Sequence, residues 1–379
     1  MEYIKVKDIC DVKTGKYDAN HAKENGKYQF FTCAVLPMRA DTYSFEGELV
    51  MLPGNGANLG EVMYYEGKIE AYQRTYVLHN IKVKAKYLFY FLKLNWKRYI
   101  LRRQIGSATN YMKLEDILNF EIPDISLEIQ EKIVLILDKS QELIDKRKKQ
   151  IECLDELVKS QFIKMFGDPI NNPRGWQVKK LKDISTKILS GNTPKGGSEV
   201  YVGSGIMFFR SQNVWKNKLV LDDIAYIDKD THNKMLKSSL NHRDILITKT
   251  GRINTENSSL GRAAMYLGED DKANINGHVY LIRLKEEILN EFILFILTSK
   301  EYRGYIRSVC VGGIDKRQLN KEHIEDFPII FPPIEQQREF VTYVKQVDKL
   351  KFEMEESLKE LENNFNSLMK DAFSGKLNV

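Results

Sequence analysis

The sequence predicts an α+β protein, in which two globular mixed α/β domains are separated by two long antiparallel helices that form a coiled coil with pseudo-twofold symmetry. Three observations lead to this prediction. A short motif typical of a helix start occurs twice in the 379 residues. A heptad pattern of apolar residues follows each copy, which is typical of a coiled coil. Each copy is also preceded by a longer segment with short strand-like runs and glycine or asparagine turns.

The repeated motif reads "DISLEIQEKIV" at 124–134 and "FPPIEQQREFV" at 331–341. The two copies lie 207 positions apart, and at this offset Gln130 aligns with Gln337. Proline favours the first turn of a helix, so the two prolines of the second copy indicate where a helix begins. Ser126 stands in place of the second proline in the first copy. We interpret this as divergence between two halves of one repeat.

Apolar side chains continue the repeat beyond both motifs, in alternating steps of four and three residues. Seven of ten positions on this ladder are apolar in the first copy and nine of ten in the second, in the same register. A 3.5-residue period sustained over about 40 residues favours a coiled coil rather than a core helix of one globular domain. The seam residues predicted to join the helices and dock partners are Ile133, Leu137, Ile144, Ile151, Leu154, Val158, Phe340, Val344, Met354, Leu358, Leu361 and Phe365.

The repeat predicts four segments along the chain. The linker after the first helix, at 167–175, is short, so the second domain begins near the far end of that helix. The second helix begins where the second domain ends, and it should therefore run back, antiparallel to the first. The predicted segments are a domain at 1–125, a helical spacer at 126–168, a domain at 169–333 and a helical spacer at 334–379.

Within the domains, β-branched and aromatic runs predict strands at 47–52, 244–248 and 279–284. An apolar helix is predicted near the end of each domain, at 87–100 and at 292–306. Shorter matches also relate the domains, such as "VKDI" to "LKDI" and "LGEVMYY" to "LGRAAMY". These matches need different offsets, so the two copies differ by insertions.

The charge distribution follows the repeat. Lys and Arg outnumber Asp and Glu by 18 to 15 in the first domain and by 25 to 19 in the second, whereas both helical spacers are slightly acidic. A basic excess that alternates with the repeat favours nucleic acid as a partner of the domains.

Cysteine usage and hydropathy predict a cytoplasmic protein without a membrane partner. The four cysteines are scattered and form no Cys-x-x-Cys pair, which is typical of a reducing compartment. No apolar run reaches the ~18 residues of a membrane helix, and the first residues are charged. The six histidines lack metal-ligand spacing, so we predict no metal site.

Polar residues that could read DNA occur in both domains, beside aromatic residues or glycines. Arginine can bond bidentately to guanine, and asparagine or glutamine to adenine, while lysines and loop amides can follow phosphates. Any one of these residues alone is more typical of a solvated surface, but the set recurs in both domains and so favours DNA. The candidates are Asn55, Asn58, Gln73, Arg74, Arg102, Arg103, Asn110, Arg210, Gln212, Asn213, Lys249, Thr250, Arg252, Asn254, Arg262, Lys316 and Arg317.

Catalytic motifs are missing from the sequence. It contains no Gly-x-x-x-x-Gly-Lys-Ser/Thr phosphate loop, and we interpret "GNTPKGG" at 191–197 as a surface turn. The "FPPI" at 331–334 has two prolines but no preceding amide or carboxylate that would hold a flipped adenine for methylation. We therefore predict no catalytic residue and no cofactor for this chain.

Taken together, these motifs resemble the specificity subunits of Type I restriction-modification systems. The resemblance rests on "FPIIFPPIEQQREFV" at 327–341, "FFRSQNV" at 208–214, "DILITKTG" at 244–251 and the twofold repeat. It covers essentially the whole chain, and the Pro-Pro-x-Glu-x-Gln helix start is its most specific part.

The resemblance implies a function in DNA recognition. Each domain would be a target-recognition domain that reads one half of a split, asymmetric site in double-stranded DNA. The helices would set the spacing and dock two modification subunits, which methylate adenine. Restriction subunits would then join the complex for translocation and cleavage.

Two other function classes remain open at this point. One is a stand-alone DNA methyltransferase or nuclease with a divergent active site. The other is a coiled-coil adaptor that binds only proteins. Methyl transfer by the pure chain would favour the first, and failure to bind DNA would favour the second.

Overall fold

The computed structural model describes residues 2–103, 110–253, 257–313 and 316–377. The chain forms two compact units. Unit 1 comprises Met1–Ile151 and Glu353–Val379, and unit 2 comprises Glu152–Phe352. Among the described residues, no helix is long and apolar enough to cross a membrane.

Unit 1 contains a mixed sheet covered by a helix. The bounds of its elements are β1 (Tyr3–Lys5), α1 (Val6–Ile9), β2 (Asp11–Thr14), β3 (Tyr28–Phe31), β4 (Met38–Ala40), β5 (Phe45–Pro53), β6 (Met63–Ala71), β7 (Thr75–His79), α2 (Ala85–Leu101), α3 (Leu114–Leu118), β8 (Glu121–Pro123), the first part of the long helix α4 (Leu127–Phe166), and a 3-10 turn at Ala19–His21.

The main sheet of unit 1 has the strand order β2-β7-β5-β6-β3-β4, with β3 parallel to β6 and the other pairs antiparallel. Successive side chains of a strand point to opposite faces of the sheet. Val50 and Leu52 accordingly join the core beneath α2, while Leu49 and Met51 join a second cluster on the other face. The sheet is therefore buried on both sides, which explains the continuous apolar run at the end of β5.

Unit 2 is built from shorter strands. The bounds of its elements are β9 (Val178–Lys180), β10 (Ser185–Ser190), β11 (Tyr201–Val202), β12 (Ile206–Phe209), β13 (Val214–Trp215), β14 (Lys218–Leu219), β15 (Ala225–Ile227), α5 (Lys229–Lys234), β16 (Ile245–Thr248), β17 (Thr250–Gly251), β18 (Ala263–Met265), β19 (Ala273–Ile275), β20 (Val279–Leu284), α6 (Asn290–Thr298), α7 (Lys300–Val309), β21 (Val311–Gly312), β22 (Arg317–Gln318), α8 (Lys321–Glu325), β23 (Pro328–Ile330), the first part of the long helix α9 (Ile334–Phe373), and 3-10 turns at Leu181–Ile184, Gly197–Val200, Ser211–Asn213 and Leu236–Ser238.

The two four-stranded sheets of unit 2 have the orders β10-β20-β16-β18 and β11-β15-β12-β19, and smaller sheets pair β13 with β14, β17 with β22 and β21, and β23 with β9. In unit 1, the single strand β6 pairs with β5 through one part and with β3 through another. In unit 2 these two pairings belong to separate strands, because β18 pairs with β16 and β19 pairs in parallel with β12. The segment 266–272 lies between them. This segment contributes only to the last change of offset, from 201 at the "LGRAAMY" match to 205 at the following helix, because the change from 175 to 201 arises before residue 260.

The long helices α4 and α9 each span 40 residues and contribute to both units. Within unit 2 they run antiparallel, since Lys351 Nζ lies 2.7 Å from Asp155 Oδ1 while the Phe340 and Phe162 ring centroids are 5.3 Å apart. Within unit 1, Lys148 Nζ lies 2.8 Å from Glu362 Oε1. The predicted strands and long helices therefore agree with the structure.

The predicted seam residues face inward. Ile133, Leu137, Ile144, Leu154, Val158, Phe340 and Phe365 are buried. Ile151, Val344, Met354, Leu358 and Leu361 are half-buried. Ile133, Leu137, Ile144 and Phe365 belong to the apolar core of unit 1, and in unit 2 the Phe340 ring lies against Phe162 of the other helix. Their roles in joining the helices and docking partners remain predictions.

At both helix starts, a glutamine side chain donates a hydrogen bond to the backbone carbonyl five residues before it. Gln130 Nε2 donates to the Ile125 carbonyl at 2.9 Å, and Gln337 Nε2 donates to the Pro332 carbonyl at 2.7 Å. Both glutamines are buried. Helix starts leave backbone groups without intrahelical partners, and a buried side chain can hold the preceding chain against the first turn. This contact explains why the motif is repeated.

One predicted helix is interrupted. The apolar segment at 292–306 forms two helices, α6 and α7, separated at Ser299. Ser299 has an extended backbone, and its hydroxyl accepts a hydrogen bond from the Tyr302 amide at 3.2 Å. Serine is a favoured N-cap because its side chain satisfies an amide that the helix leaves free. The equivalent segment of unit 1 continues as one helix, α2.

Candidate nucleic-acid interface

A small sheet assembles the candidate site of unit 2. Strand β17 pairs with β22, and β22 pairs with β21. The Leu319 amide also donates to the Lys249 carbonyl at 2.9 Å. These pairings bring the loop after β16 next to the segment after α7. Residues that are about seventy positions apart in the sequence, such as Lys249 and Leu319, therefore meet at one surface.

This surface is a basic concavity of about 440 Å³. Four of the sequence-predicted residues line it: Thr250, Arg252, Arg262 and Lys316. The remaining residues that line it are small or neutral: Gly251, Asn257, Ser258 and Ser259. The described lining thus combines three cations with hydroxyls and an amide and includes no carboxylate, which is the composition expected for contacts to a phosphate backbone.

Arg262 is held in place at the rim of the concavity. Its Nε donates to the Ser258 carbonyl at 3.1 Å, and its Nη2 donates to the Asn257 carbonyl. The guanidinium lies 3.9 Å from the ring centroid of Trp215. Burial, and to a lesser extent the charge of Arg303, lowers the pKa of Arg262. The side chain still carries its charge at neutral pH, because arginine starts from a very high pKa.

Trp215 is a site residue that the sequence reasoning missed. It sits in β13, at the tip of the hairpin that β13 forms with β14, and is 42% exposed. Its Nε1 donates to the Gln212 carbonyl at 3.0 Å. Exposed tryptophan is uncommon on a soluble domain, and its place in "NVWKNK" beside basic residues was the available signal.

The loop after β12 holds three further predicted residues, Arg210, Gln212 and Asn213. Asn213 is buried, accepts from the Arg210 amide at 3.0 Å and donates to the Val220 carbonyl at 3.1 Å. Both ends of its amide stabilise the turn, and its role as a DNA contact remains a prediction. Gln212 is exposed, and Arg210 is mostly covered.

Asp223 connects the other two predicted members of this loop, Arg210 and Gln212. Arg210 Nη2 lies 3.1 Å from Asp223 Oδ2, and Gln212 Nε2 donates to the same oxygen at 2.8 Å. These hydrogen bonds, from Gln212 first and then Arg210, lower the pKa of the Asp223 carboxyl group. The sequence reasoning did not include Asp223, because its partners lie more than ten residues away along the chain.

The other predicted residues of unit 2 differ in exposure, and one lies outside the described structure. Lys249 Nζ lies 5.7 Å from the Tyr280 ring centroid. Arg317 is half-buried and donates through Nη1 to the Cys310 carbonyl at 3.2 Å, so it braces β22 from below. Arg252 is exposed. Asn254 lies outside the described residues.

Unit 1 builds an equivalent framework around the loop at 53–58. The Met112 amide donates to the Gly54 carbonyl at 3.1 Å, as Leu319 does to Lys249 in unit 2. The Gly56 amide donates to the Asn110 carbonyl at 2.9 Å, and the Gly54 amide donates to the Arg74 carbonyl at 2.8 Å. These bonds gather the predicted residues Asn55, Arg74 and Asn110 at one surface.

The remaining predicted residues of unit 1 are divided between this surface and other places. Asn58 is half-buried and donates to the Cys33 carbonyl at 2.8 Å, which ties the glycine-rich loop to the chain after β3. Gln73 is exposed in the turn between β6 and β7. Arg102 and Arg103 are exposed at the end of α2, where Arg103 stacks on Tyr99 at 3.9 Å. Their described contacts do not link them to the loop.

The described residues contain no group of three or more His, Cys, Asp or Glu side chains arranged to hold a metal ion. The buried thiol of Cys10 is explained by packing. Burial raises the pKa of Cys10 to about 12, with a smaller contribution from Asp11, and this cysteine lies in the apolar core of unit 1. It is therefore a structural rather than a reactive thiol.

Comparison with known proteins places the chain in a family. The family model for the Type I restriction modification DNA specificity domain matches residues 1–153 and 173–363. The Type I restriction enzyme EcoDI specificity subunit of Escherichia coli is 22% identical over 411 residues, covering 99% of this chain and 88% of that subunit. The MjaVIII specificity subunit of Methanocaldococcus jannaschii is 25% identical, covering 87% of this chain and 79% of that subunit.

Two solved structures share the fold. The S subunit of a Type-I restriction-modification system from M. genitalium superposes with a TM-score of 0.56 at 17% identity, covering 98% of this chain and 96% of that one. A chain from a type I R-M system superposes with a TM-score of 0.60 at 16% identity, covering 99% and 98%. The family match covers most of the sequence, and the relatives are specificity subunits. The chain therefore belongs to the Type I restriction-modification DNA specificity family, which recognises DNA sequence and is not itself catalytic.

Proposed function

We propose that this specificity subunit reads a bipartite, asymmetric site in double-stranded DNA, with one half of the site contacted by each unit. Residues 1–125 and 169–333 would be the two target-recognition domains. The observation that carries the proposal is the equivalent framework of the two units. In each, a strand-like pairing places a loop (53–58 or 249–253) beside the residues that precede a short helix.

The side chains on these two frameworks differ, which supports recognition of two different half-sites. Unit 1 presents amides from Asn55 and Asn110, together with Gln73 and Arg74. Asparagine and glutamine can bond bidentately to adenine in the major groove. Unit 2 presents the basic concavity, whose cations suit phosphates. Equal backbones with unequal side chains would give the site its asymmetry.

We propose that α4 and α9 act as the spacer between the half-sites. Each helix has 40 residues, and a helix of this length extends about 60 Å at ~1.5 Å per residue. Neither helix contains glycine or proline, so both are stiff along their length. The seam residues, which pack inside the units, would keep the spacing constant.

We propose that the outward faces of the long helices dock two modification subunits. Leu143 on α4 and Leu350 on α9 are equivalent at the 207-residue offset, and they are 54% and 41% exposed. One belongs to unit 1 and the other to unit 2. An exposed leucine repeated at the same position in both halves suits two copies of one partner. Restriction subunits would join the complex through the modification subunits.

Chemistry would reside in those partners. The modification subunits would methylate adenine, and the restriction subunits would translocate and cleave DNA. The residues of this chain would bind and orient the DNA so that each half-site meets one methyltransferase. The coarser function, DNA sequence recognition, follows from the family.

The experiment that tests the proposal is methylome sequencing of cells that carry this chain together with a modification subunit. We expect one methylated sequence with two defined halves and a fixed spacer. Replacing residues 1–125 with the corresponding domain of a relative should change one half and leave the other. Simultaneous change of both halves, or methylation at a continuous site, would overturn the bipartite reading.

A further inference from the structure

The loop after β12 presents a carboxylate that is held by two donors. Arg210 Nη2 and Gln212 Nε2 both point to Asp223 Oδ2, at 3.1 and 2.8 Å. Arg210 Nη2 also donates to the Asp223 backbone carbonyl. A carboxylate with two such donors is fixed in orientation, which a freely rotating surface aspartate is not.

Exposure separates the supporting residue from the presented one. The Arg210 side chain is 18% exposed, whereas the Asp223 side chain is 76% exposed. Both donors converge on Oδ2, so Oδ1 of Asp223 is directed to neither of them. The side-chain nitrogen of Gln212 donates to Asp223, and its side-chain oxygen takes no part in this hydrogen bond. The group thus offers hydrogen-bond acceptors to solvent, and Arg210 supports them from behind.

This group is continuous with the candidate nucleic-acid interface. The backbone carbonyl of Gln212 accepts a hydrogen bond from Trp215 Nε1 at 3.0 Å. Trp215 in turn stacks on Arg262, which lines the basic concavity. Asp223 is therefore linked by three consecutive contacts to the cations that suit the phosphate backbone.

The charge of Asp223 decides which part of DNA it can meet. Hydrogen bonds from Gln212 and Arg210 lower the pKa of its carboxyl group, so it is ionised at neutral pH. A carboxylate repels phosphate oxygens, and it equally repels the acceptors guanine O6 and N7 and thymine O4. The donors in the major groove are the amino groups of cytosine N4 and adenine N6.

We propose that Asp223 is a specificity-determining residue of unit 2, which with Gln212 accepts a hydrogen bond from the amino group of a cytosine or adenine in the major groove. Arg210 is a positioning residue that holds the carboxylate. This inference deepens the proposed function, because it names one contact inside the half-site read by unit 2.

The corresponding loop of unit 1 lacks these groups. Strand β3 ends in the same Phe-Phe pair as β12, but Thr32 follows where Arg210 follows in unit 2. Thr32 Oγ1 accepts from the Ala34 amide at 3.1 Å and so closes a local turn. The half-site read by unit 1 is therefore independent of this contact.

The first test compares Asp223→Asn with Asp222→Asn in the complete complex with modification subunits. Both aspartates are exposed neighbours, so the second variant controls for loss of one surface charge. We expect Asp223→Asn to relax or change one base pair in one half-site, with the other half and the spacer unchanged. Asp222→Asn should leave the methylated sequence as it is. An unchanged sequence in Asp223→Asn would overturn the proposal.

The second test isolates the amino group. Duplexes are made in which each adenine of the half-site is replaced by purine, or each cytosine by the pyrimidinone that lacks the 4-amino group. At one position, binding by the parent complex should fall at least about fivefold, the lower end expected for a specific base contact. Asp223→Asn should show no further fall there. Equal falls in parent and variant would overturn the proposal.

Two other outcomes are decisive. A uniform gain of affinity for all DNA in Asp223→Asn, with discrimination unchanged, would mean that the carboxylate merely repels phosphates and would overturn the proposal. If the parent complex methylates no bipartite sequence at all, the proposed function fails first. A parent that methylates two halves, with an Asp223→Asn variant of the same specificity, would overturn only this inference.

Discussion

Unit 1 and unit 2 share a turn with a glycine of positive φ, but the residue after this glycine carries opposite charge in the two units. Gly60 and Gly261 both follow a buried leucine, and both adopt positive φ angles, +98° and +70°. Gly60 lies tightly against Lys97 of α2, and Gly261 lies tightly against Ile306 of α7. The next residue is Glu61 in unit 1 and Arg262 in unit 2. The framework is retained because close packing admits only glycine there, whereas the adjacent side chain is free to differ.

A second difference concerns how each unit fills the edge of its core. Val50 of β5 and Ile245 of β16 occupy corresponding places in the two sheets, so the residues before them, Leu49 and Asp244, can be compared. Leu49 is fully buried, and Asp244 is 2% exposed. Asp244 receives Arg283 Nε and Nη2 at 2.9 and 2.7 Å. The equivalent pairs of strands therefore carry an apolar contact in one unit and an ion pair in the other. The comparison shows that the fold tolerates either solution when both partners are present.

The largest expected effect on stability comes from replacing Asp244 alone in the Asp244–Arg283 ion pair. Asp244→Leu leaves the Arg283 guanidinium without its carboxylate in a partly buried place, and we expect a loss of about 3–5 kcal/mol in the free energy of unfolding. The double variant Asp244→Leu/Arg283→Met should recover most of this loss, because an apolar pair can replace a buried ion pair. Denaturant unfolding measures both. A single variant as stable as the parent would contradict the comparison.

The next effect tests the seam that both units share. Leu154 in unit 2 and Leu361 in unit 1 are equivalent at the 207-residue offset. Proline at either place removes a helix hydrogen bond and clashes with the preceding turn, at a cost of about 3 kcal/mol or more. We expect loss of soluble protein or of modification-subunit binding, measured by co-purification. Leu154→Met and Leu361→Met serve as controls and should assemble normally.

Docking itself can be tested on the outward face of the helices. Leu143→Lys and Leu350→Lys each place a charge on an exposed leucine that packs little within its unit. Each variant should stay folded and bind one modification subunit instead of two, as measured by the mass of the complex. Leu267→Lys, at another exposed leucine in unit 2, is the matched control. Two bound subunits in both helix variants would contradict docking at this face.

A smaller effect distinguishes the two helix starts. Gln130 bonds the Ile125 carbonyl and also accepts from the Lys84 amide at 2.9 Å. Gln337 bonds the Pro332 carbonyl, but its own buried carbonyl oxygen has no described partner. Gln130→Met should therefore cost about 2 kcal/mol of stability and Gln337→Met about 1 kcal/mol. Equal losses in denaturant unfolding would show that the extra bond of Gln130 adds nothing.

The features that could be predicted from sequence are those with a local period. The heptad ladder predicted α4 and α9, and β-branched runs predicted strands such as β16 and β20, because the core selects apolar residues at regular spacing. The break at Ser299 was missed, since an apolar segment on both sides conceals a single capping residue. The split of β6 into β18 and β19 was also missed, because the pairing depends on distant strands.

The candidate site was predictable by residue type but not by role. Thr250, Arg252, Arg262 and Lys316 line one concavity, as the clustering of basic and polar residues indicated. Asn213 has the right chemistry for adenine but is buried as a turn-stabilising side chain. Asp223 and Trp215 are positioned by contacts with residues elsewhere in the loop and beyond it. A short sequence motif does not show such contacts, so it cannot predict these roles.

The smallest expected effect returns to the residues after the paired glycines. Arg262→Ala removes one cation from the basic concavity of unit 2, whereas Glu61→Ala removes an anion that is paired with Lys97 in unit 1 at 2.8 Å. If Arg262 contacts one phosphate, the slope of log binding constant against log salt should fall by ~0.9. Affinity should fall alike for all sequences, because a phosphate contact carries no base information. Glu61→Ala should not lower the slope, since a carboxylate neutralises no phosphate.

Arg262→Lys separates the effect of the charge from that of stacking. This variant should keep the slope while losing the contact with Trp215. Measuring DNA binding by the complex over a range of salt concentrations gives all three slopes. An Arg262→Ala complex with the parental slope would place this guanidinium outside the phosphate contacts and leave it as a structural brace of the loop.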